Sequence, residues 1–247
     1  MAEILQYKSG MSNGFFIREG TCVIAVDGGA RLGMEYAQGA CVECGIDPKS
    51  VRLLVVTHAH VDHFVNMDEL RRLTGAPLLC HKGAADTLIR AELPTVYPRN
   101  QVGEKVDAFR IEMTKLHGEP VPYLPPMTPD LLFEGTFDLK PYGIDGQIIE
   151  TPGHSLTCTS VVLADRQAIV GDLIVDDEFT GGVPTLAYFG CDPDRRKANA
   201  LLFPSCEKLL TLADMFYSGH GGPFTRAQFQ TAYAAAQAEA AALCPAP

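Results

Sequence analysis

The sequence lacks any apolar run that approaches the roughly 18 residues needed to span a membrane. Its first residues, MAEILQYKSGMSNGFF, also lack the basic start and apolar stretch of a secretory signal. Positive charge is scarce, since 20 Lys and Arg residues face 30 Asp and Glu residues and leave a net charge of -10. These absences predict a cytoplasmic protein that binds neither a membrane nor the phosphate backbone of a nucleic acid.

A disulfide framework is missing as well, although the chain contains eight cysteines. They are scattered through 247 residues, and most have apolar neighbours, so buried free thiols are expected. The one C-x-x-C, Cys41 to Cys44, lacks the second half of a zinc site and does not open a helix after a strand, as a redox pair would. The cysteines therefore indicate no particular chemistry.

Strand-like runs and amphipathic stretches alternate along the chain, which predicts an α/β protein with two sheets between helical layers. In the front third ILQY, GFFI, TCVIAV, VRLLVV and APLLC predict strands, and LLFEG, TFDLK, GQIIET, TCTSVVLA and QAIVGD predict a second antiparallel sheet or half-sheet. Pro204 is predicted to break DRRKANALLFPSCEKLLTL into a helix pair, and RAQFQTAYAAAQAEAAAL predicts a terminal helix. The length fits a single domain over residues 1–247.

Prolines are concentrated between residues 92 and 141, where eight of them would break helices and remove ladder donors. This range predicts an insertion near the mouth of the functional site. The segments YLPP, residues 123–126, and PTLAYF, residues 184–189, mix aromatic residues with proline. Such segments are typical of a pocket rim or a dimer contact, and the sequence leaves both open, including a homodimer.

The densest polar cluster is THAHVDH, residues 57–63, directly after the strand VRLLVV. It places His58, His60, Asp62 and His63 within six residues. Three imidazoles and a carboxylate crowded at a strand end are costly to desolvate and repel one another when protonated, and a divalent cation removes both problems. Nitrogen and oxygen donors suit Zn, Fe or Mn, so the cluster predicts a metal site.

Three later loops supply matching groups, and each follows a strand-like run. TPGHS contains His154, VGDL contains Asp172 and SGHGG contains His220. This order, together with an early VDGG at Asp27, resembles the metallo-β-lactamase superfamily, with its H-x-H-x-D-H motif followed by a His, an Asp and a final His. The resemblance spans about residues 14 to 223. Within the superfamily, the chain resembles compact members of the glyoxalase II type.

The resemblance implies an αββα sandwich of two mixed sheets flanked by helices, with two divalent metal ions at one edge, Zn ahead of Fe or Mn. His58, His60 and His154 would hold the first metal, Asp62, His63 and His220 the second, and Asp172 would bridge them. Asp27 would not bind metal itself but would orient a residue that does. A purely structural role for Asp27 at a strand end is the alternative.

The chemistry that follows from two metals is attack by a hydroxide held between them on a small carbonyl substrate. Asp62 is expected to orient that hydroxide or relay a proton besides binding metal. Tyr188 is a candidate for a hydrogen bond to the substrate carbonyl, as a tyrosine makes in lactonase relatives, although a core or rim tyrosine is the commoner case. His81 and His117 match no metal motif and are expected to be structural or surface residues.

One departure from the family pattern is DHFVN where D-H-x-G-G is common. It loses no ligand but puts bulk beside the metals, where Phe64 or Val65 would narrow the pocket. We expect a metal-dependent hydrolase that prefers a thioester of the hydroxyacylglutathione kind over a lactone. The alternatives are a mononuclear iron dioxygenase acting on a persulfide, with iron on His58, His154 and Asp172, and a metal-binding protein without turnover.

Overall fold

The computed structural model describes residues 1–90, 104–105, 108, 126–187 and 194–243. Within these residues the helices with both ends described are α1 (Met34–Glu43), α2 (Val61–Phe64), α3 (Met67–Thr74), α4 (Ala85–Arg90), α5 (Arg195–Leu212) and α6 (Arg226–Leu243). The first six strands are β1 (Glu3–Ser9), β2 (Ser12–Glu19), β3 (Cys22–Val26), β4 (Val51–Val55), β5 (Leu78–His81) and β6 (Leu131–Phe133). The others are β7 (Thr136–Asp138), β8 (Gly146–Glu150), β9 (Thr159–Leu163), β10 (Gln167–Ile169), β11 (Ile174–Val175), β12 (Thr185–Leu186), β13 (Met215–Tyr217) and β14 (Phe224–Thr225).

The first sheet has the strand order β1-β2-β3-β4-β5-β6, antiparallel from β1 to β3 and parallel from β3 to β6. Strand β4 lies inside it, and all of its residues except Arg52 are buried. A nearly continuous β-branched and leucine run is what a strand covered on both faces requires, so the sequence-based prediction for this strand is confirmed.

The second sheet has the order β14-β13-β10-β9-β8-β7 and is also mixed, because β10 and β13 are parallel. An apolar cluster between the two sheets combines Phe15, Ile17 and Leu53 from one with Val161 and Ile169 from the other. A second cluster joins the first sheet to α1 and α3, and a third joins the second sheet to α5 and α6. The predicted αββα arrangement of two mixed sheets between helices is therefore confirmed.

Two predictions about the elements are wrong. The run LLFEG belongs to the first sheet, where Leu131 pairs with Leu79 in a parallel register, because an apolar pattern identifies a strand but not its partner. Helix α5 continues through Pro204 instead of breaking there. Leu202, Cys206 and Leu209 on either side of the proline are buried in one apolar cluster, so the two halves of the helix pack against the same core.

Most of the predicted proline-rich insertion, residues 92–141, lies outside the described residues, so its role stays a prediction. Its last part contributes β6 and β7, which are edge strands of the first and the second sheet. From its middle, Lys105 donates from Nζ to the main-chain oxygen of Phe179 at 3.3 Å. None of the helices in the described part of the chain is long and apolar enough to cross a membrane.

Candidate metal centre

The polar cluster of residues 57–63 leaves the carboxyl end of β4 and enters the short helix α2. His60 is the N-cap residue of α2, and Asp62 and His63 lie within its single turn. One turn of helix directs these two side chains back toward the strand end that His58 follows. The spacing of the motif thus brings its three imidazoles and its carboxylate to one rim of the first sheet.

The other three predicted residues reach the same rim from the second sheet. Strand β9 is antiparallel to both β8 and β10, and β13 is parallel to β10, so β8, β10 and β13 all run in one direction. His154, Asp172 and His220 follow the carboxyl ends of these three strands. A hydrogen bond from Thr159 N to Thr57 O at 2.9 Å joins the two sheets at this edge. Strand direction therefore explains why residues distant in sequence meet here.

Two groups of potential ligand atoms result, each with its atoms within 4.8 Å of one another. The first group contains His58, His60, His154 and Asp172, and the second contains Asp62, His63 and His220. All seven predicted ligand residues are therefore brought together by the structure. Tyr188 and His117 lie outside the described residues, so the role suggested for Tyr188 stays a prediction.

Oδ2 of Asp172 lies at the centre of the two groups. It is 3.2 Å from Nε2 of His63, 3.3 Å from Nε2 of His220, 3.5 Å from Nε2 of His154 and 3.7 Å from Nε2 of His58. Ligands on a tetrahedral cation at bond lengths of about 2.0–2.1 Å are about 3.3–3.4 Å apart. The spacing of these donor atoms therefore matches that around a small divalent cation.

Four of the imidazoles present Nε2 to this centre because their other ring nitrogen faces an acceptor. Nδ1 of His58, His63, His154 and His220 lies 3.1, 2.8, 2.6 and 3.0 Å from Thr57 Oγ1, Asp27 Oδ2, Ala187 O and Met11 O. An acceptor at Nδ1 favours the tautomer with the proton there and leaves the Nε2 lone pair for a metal. His60 differs, since its Nδ1 lies 2.9 Å from Nε2 of His154.

Unsatisfied atoms show that the site suits a cation. Nε2 of His58 and Oδ1 of Asp172 are buried and have no hydrogen-bond partner within the described part of the chain. Buried polar atoms are normally paired, and an unpaired one costs about 1–3 kcal/mol. A divalent cation would satisfy both atoms, so the residues present fit the metals that the family pattern implies.

Asp27 is not one of the potential ligands, but it orients His63 of the second ligand group. Its carboxylate accepts hydrogen bonds from Thr57 N at 2.8 Å and from Thr57 Oγ1 at 2.7 Å, and it contacts His63. The chain turns sharply here, with Asp27 at φ 57°, and a Cβ on Gly28 would press against the backbone nitrogen of Met67. The VDGG segment thus places a fully buried carboxylate where it orients two residues of the cluster. Sequence analysis missed the part played by Thr57, although it directly precedes the motif.

In the metal-free protein, two imidazoles of the site have raised pKa values and the other three have lowered ones. Burial lowers the pKa of His220, but the carboxylates of Asp172 and Asp62 outweigh it and raise the pKa to about 10. Burial also lowers the pKa of His63. The carboxylates of Asp172, Asp62 and Asp27 outweigh burial and hold this pKa well above its usual range. Burial raises the pKa values of Asp62 and Asp172, yet the neighbouring imidazoles His63 and His220 hold both well below the usual range.

The remaining three imidazoles stay neutral. Burial, followed by the charges of His63 and His60, lowers the pKa of His58 well below its usual range. Burial and His154 lower the pKa of His60 to about 3, and burial is also the main cause of the lowered pKa of His154. Neutral imidazole is the form that binds metal, so these side chains need lose no proton on binding.

Two other expectations can be compared with the structure. Phe64 and Val65 are both buried in the apolar cluster that joins the first sheet to α1 and α3, and their effect on the width of the pocket stays a prediction. His81 is structural, as expected, since Nε2 lies 2.9 Å from Glu150 Oε1 and Nδ1 accepts from Gly83 N. It connects β5 to β8.

Comparison with known proteins agrees with this geometry. A family model described as the metallo-beta-lactamase superfamily matches residues 8–220. A protein of Bacillus subtilis (strain 168) described as the probable metallo-hydrolase YqgX is 30% identical over 211 residues, which cover 84% of this chain and 83% of the relative.

Two solved structures share the fold at low sequence identity. The BLEG-1 B3 metallo-β-lactamase has a TM-score of 0.65 and 19% identity, and the match covers 93% of this chain and 97% of that one. The protein TTHA1623, solved in a di-iron-bound form, has a TM-score of 0.62 and 21% identity, over 92% of this chain and 96% of that one. With the family match over residues 8–220, the His and Asp cluster at the rim of the two sheets identifies this chain as a member of the metallo-β-lactamase superfamily.

Proposed function

We propose that this chain is a binuclear metallohydrolase that attacks a small carbonyl substrate, with a thioester preferred over a lactone. The observation that carries the proposal is the position of Asp172, whose Oδ2 lies within 3.2–3.7 Å of Nε2 of four histidines drawn from both ligand groups. One carboxylate oxygen shared in this way is suited to two neighbouring cations. The di-iron form of the structural neighbour TTHA1623 supports a two-metal state.

The ligand assignment follows the two groups. His58, His60 and His154 would hold one cation and Asp62, His63 and His220 the other, with Asp172 shared between them. Zn²⁺ suits this mixture of imidazole and carboxylate donors, and Fe and Mn have compatible ligand preferences. When bound, two such cations lower the pKa of water toward neutrality and polarise a carbonyl group.

The chain's own groups would orient the reactants. Asp62 Oδ2 lies 3.0 Å from His220 Nε2, and its side chain is 17% exposed. Its lowered pKa keeps it ionised near neutral pH, where Oδ2 can accept a hydrogen bond from a water molecule. Asp62 therefore combines the roles of ligand and hydrogen-bond acceptor in the proposal.

A carbonyl substrate with an apolar part is favoured by the surroundings of His154. Leu156 follows it by two residues in the same loop and is 61% exposed. An exposed leucine beside the donor cluster offers contact area to an acyl or thiol portion of a substrate. The name of the Bacillus subtilis relative supports hydrolysis without specifying a substrate.

The first experiment is the metal content of protein purified without added metal or chelator, measured by inductively coupled plasma mass spectrometry. Close to two equivalents of Zn, Mn or Fe are expected. One equivalent of iron alone would contradict the binuclear proposal and favour a dioxygenase with iron on His58, His154 and Asp172, to be tested by oxygen consumption with persulfides.

The substrate class is tested separately with the metal-loaded protein. Hydrolysis of S-lactoylglutathione and of an acyl-CoA panel is expected to exceed hydrolysis of lactones at equal concentration. Absence of turnover with every thioester at millimolar concentration would contradict the substrate class while leaving the metal assignment intact.

A further inference from the structure

Three consecutive residues at the β1–β2 turn and the start of β2 contact the second ligand group or the residues on either side of His220. The main-chain oxygen of Met11 lies 3.0 Å from Nδ1 of His220 and accepts a hydrogen bond from it. Ser12, which is completely buried, donates from Oγ to the main-chain oxygen of Asp62 at 2.6 Å. One short hairpin therefore touches residues that are about 50 and 209 positions away in the sequence.

Asn13 makes the largest number of these contacts. Its main-chain N donates to Gly219 O at 2.7 Å, and its side-chain Nδ2 donates to Ser218 O at 2.8 Å and to Gly221 O at 3.0 Å. The three acceptors lie immediately around His220. Asn13 is only 1% exposed, so water does not replace these donors.

The acceptors explain why an asparagine stands at this position. Two carbonyl oxygens converge on the side chain, and only a group with two N–H bonds on one atom can satisfy both. Oδ1 of Asn13 has no hydrogen-bond partner in the described part of the chain. A buried amide that leaves its oxygen unpaired is retained for its donors, because any side chain without them would leave carbonyl oxygens unsatisfied.

The two histidines of the first ligand group with an acceptor at Nδ1 are held by different elements. His58 follows β4 and is oriented by Thr57, while Nδ1 of His154 contacts the main-chain oxygen of Ala187. A change at Asn13 would thus act on His220 through the loop 218–221 and leave the supports of His58 and His154 in place. Asp172, which both groups share, is the one residue of the first group beside this loop, since Gly219 N donates to Gly171 O.

We infer that Asn13 is a positioning residue that holds His220 in the second ligand group, with Met11 and Ser12 completing the contact. This inference rests on the proposed binuclear site. Loss of the Nδ2 donors is expected to weaken binding of one metal equivalent selectively, by about 10–100-fold, which is the usual effect of removing an outer hydrogen-bond partner of a ligand.

The test compares Asn13→Leu, which is close in shape but has no polar atoms, and Asn13→Asp, which replaces Nδ2 by an oxygen. Thr74→Ala is the matched control, since it removes a buried hydrogen bond to Leu70 O at the end of α3, away from the site. Zn²⁺ binding to the metal-free full-length proteins is measured by competition with a chromophoric chelator. The wild type and Thr74→Ala should bind two equivalents, whereas both Asn13 variants should bind one tightly and the other 10–100-fold more weakly.

A second measurement keeps the inference testable whatever the metal stoichiometry. Imidazole ¹⁵N spectra of the metal-free proteins report on each ring separately. The signals of His220 should move in the Asn13 variants, and those of His58 should remain.

The outcomes separate the two proposals. Equal weakening of both equivalents, no weakening of either, or unmoved His220 signals would overturn the role of Asn13. A wild-type protein that binds fewer than two equivalents would overturn the binuclear proposal, and the position of the His220 signals would then decide the role of Asn13 alone.

Discussion

Oδ2 of Asp27 lies 2.8 Å from Nδ1 of His63, and both side chains are fully buried. The same carboxylate accepts two hydrogen bonds from Thr57, the residue that precedes the metal-binding motif. A buried carboxylate with three donors around it fixes the ring orientation of His63 and leaves Nε2 directed at Asp172. Asp27, the residue directly after β3, thereby orients a ligand in α2.

Replacing Asp27 by Asn is expected to weaken metal binding. An amide has one oxygen in place of two, so an N–H group would face one of the three donors and leave it unsatisfied. The affinity for the metal held by His63 should fall by about 10–100-fold. Zn²⁺ titration of the metal-free protein checks this. Asp138→Asn, at the exposed end of β7 where the Asp138 carboxylate accepts a hydrogen bond from Lys140 N, is the control and should bind like the wild type.

Asp172→Asn tests the shared carboxylate. It keeps the size of the side chain but removes the charge that both ligand groups face, so bound metal should fall from two equivalents to one at most. Hydrolytic activity should fall by more than the roughly 100-fold that loss of an outer partner costs. Unchanged metal content would contradict the two-metal assignment. Asp145→Asn, at an exposed carboxylate beside Lys140, is the matched control.

Gly219→Ala should damage the site although it replaces none of the ligand residues. A Cβ at Gly219 would collide with Oδ1 of Asp172 and Cε1 of His63, neither of which can move freely because both are buried. Metal content and activity should both drop. Gly39→Ala is the contrasting variant, since Gly39 lies on the exposed side of α1 with open space around it. It should raise the free energy of unfolding by about 0.5–1 kcal/mol and leave metal content unchanged.

The stability of the metal-free protein should depend on pH through His220. Its pKa is raised from 6.5 to about 10, because Asp172 and Asp62 outweigh the effect of burial. A raised pKa stabilises the folded state fully below the unfolded value of about 6.5, and this contribution is lost as pH rises through about 10. Urea unfolding in the presence of a chelator should therefore show a falling free energy of unfolding between pH 6.5 and 10.

His220→Asn is the variant that isolates this contribution. Its free energy of unfolding should decline less steeply than that of the wild type over the same pH range. Parallel curves for the two proteins would contradict the assignment. Metal binding should show the opposite trend and strengthen with pH, because the cation displaces the protons held by His63 and His220.

The ligand residues could be predicted from local features. His58, His60, Asp62 and His63 lie within one strand-end loop, and their spacing alone indicates a cation. The later ligands follow strand-like runs, so their place at a sheet edge could also be expected. The partner of LLFEG and the continuity of α5 through Pro204 could not, because each depends on packing against distant residues.

Asn66 shows the same limit at the level of one side chain. With Glu69 three residues later it matches a capping box before α3, and α3 does begin at Met67. Its side chain makes no cap hydrogen bond, however, and Oδ1 accepts from Gly33 N at 2.9 Å. The donor to Asn66 is thus the backbone N–H of Gly33, in a loop before α1, and not an N–H group of α3. Only the tertiary structure brings that loop into contact with Asn66.

The sequence by itself determined the kind of fold and the donor set, because hydrophobic periodicity and the type of side chain are local properties. Only the tertiary structure decided how the donors are held, since Asp27 reaches His63 and Asn13 reaches Ser218, 205 positions away, through the pairing and direction of strands. Hydrogen bonds act over about 3 Å, so the residues that orient a site are identified by their distance in space and not by their spacing along the chain.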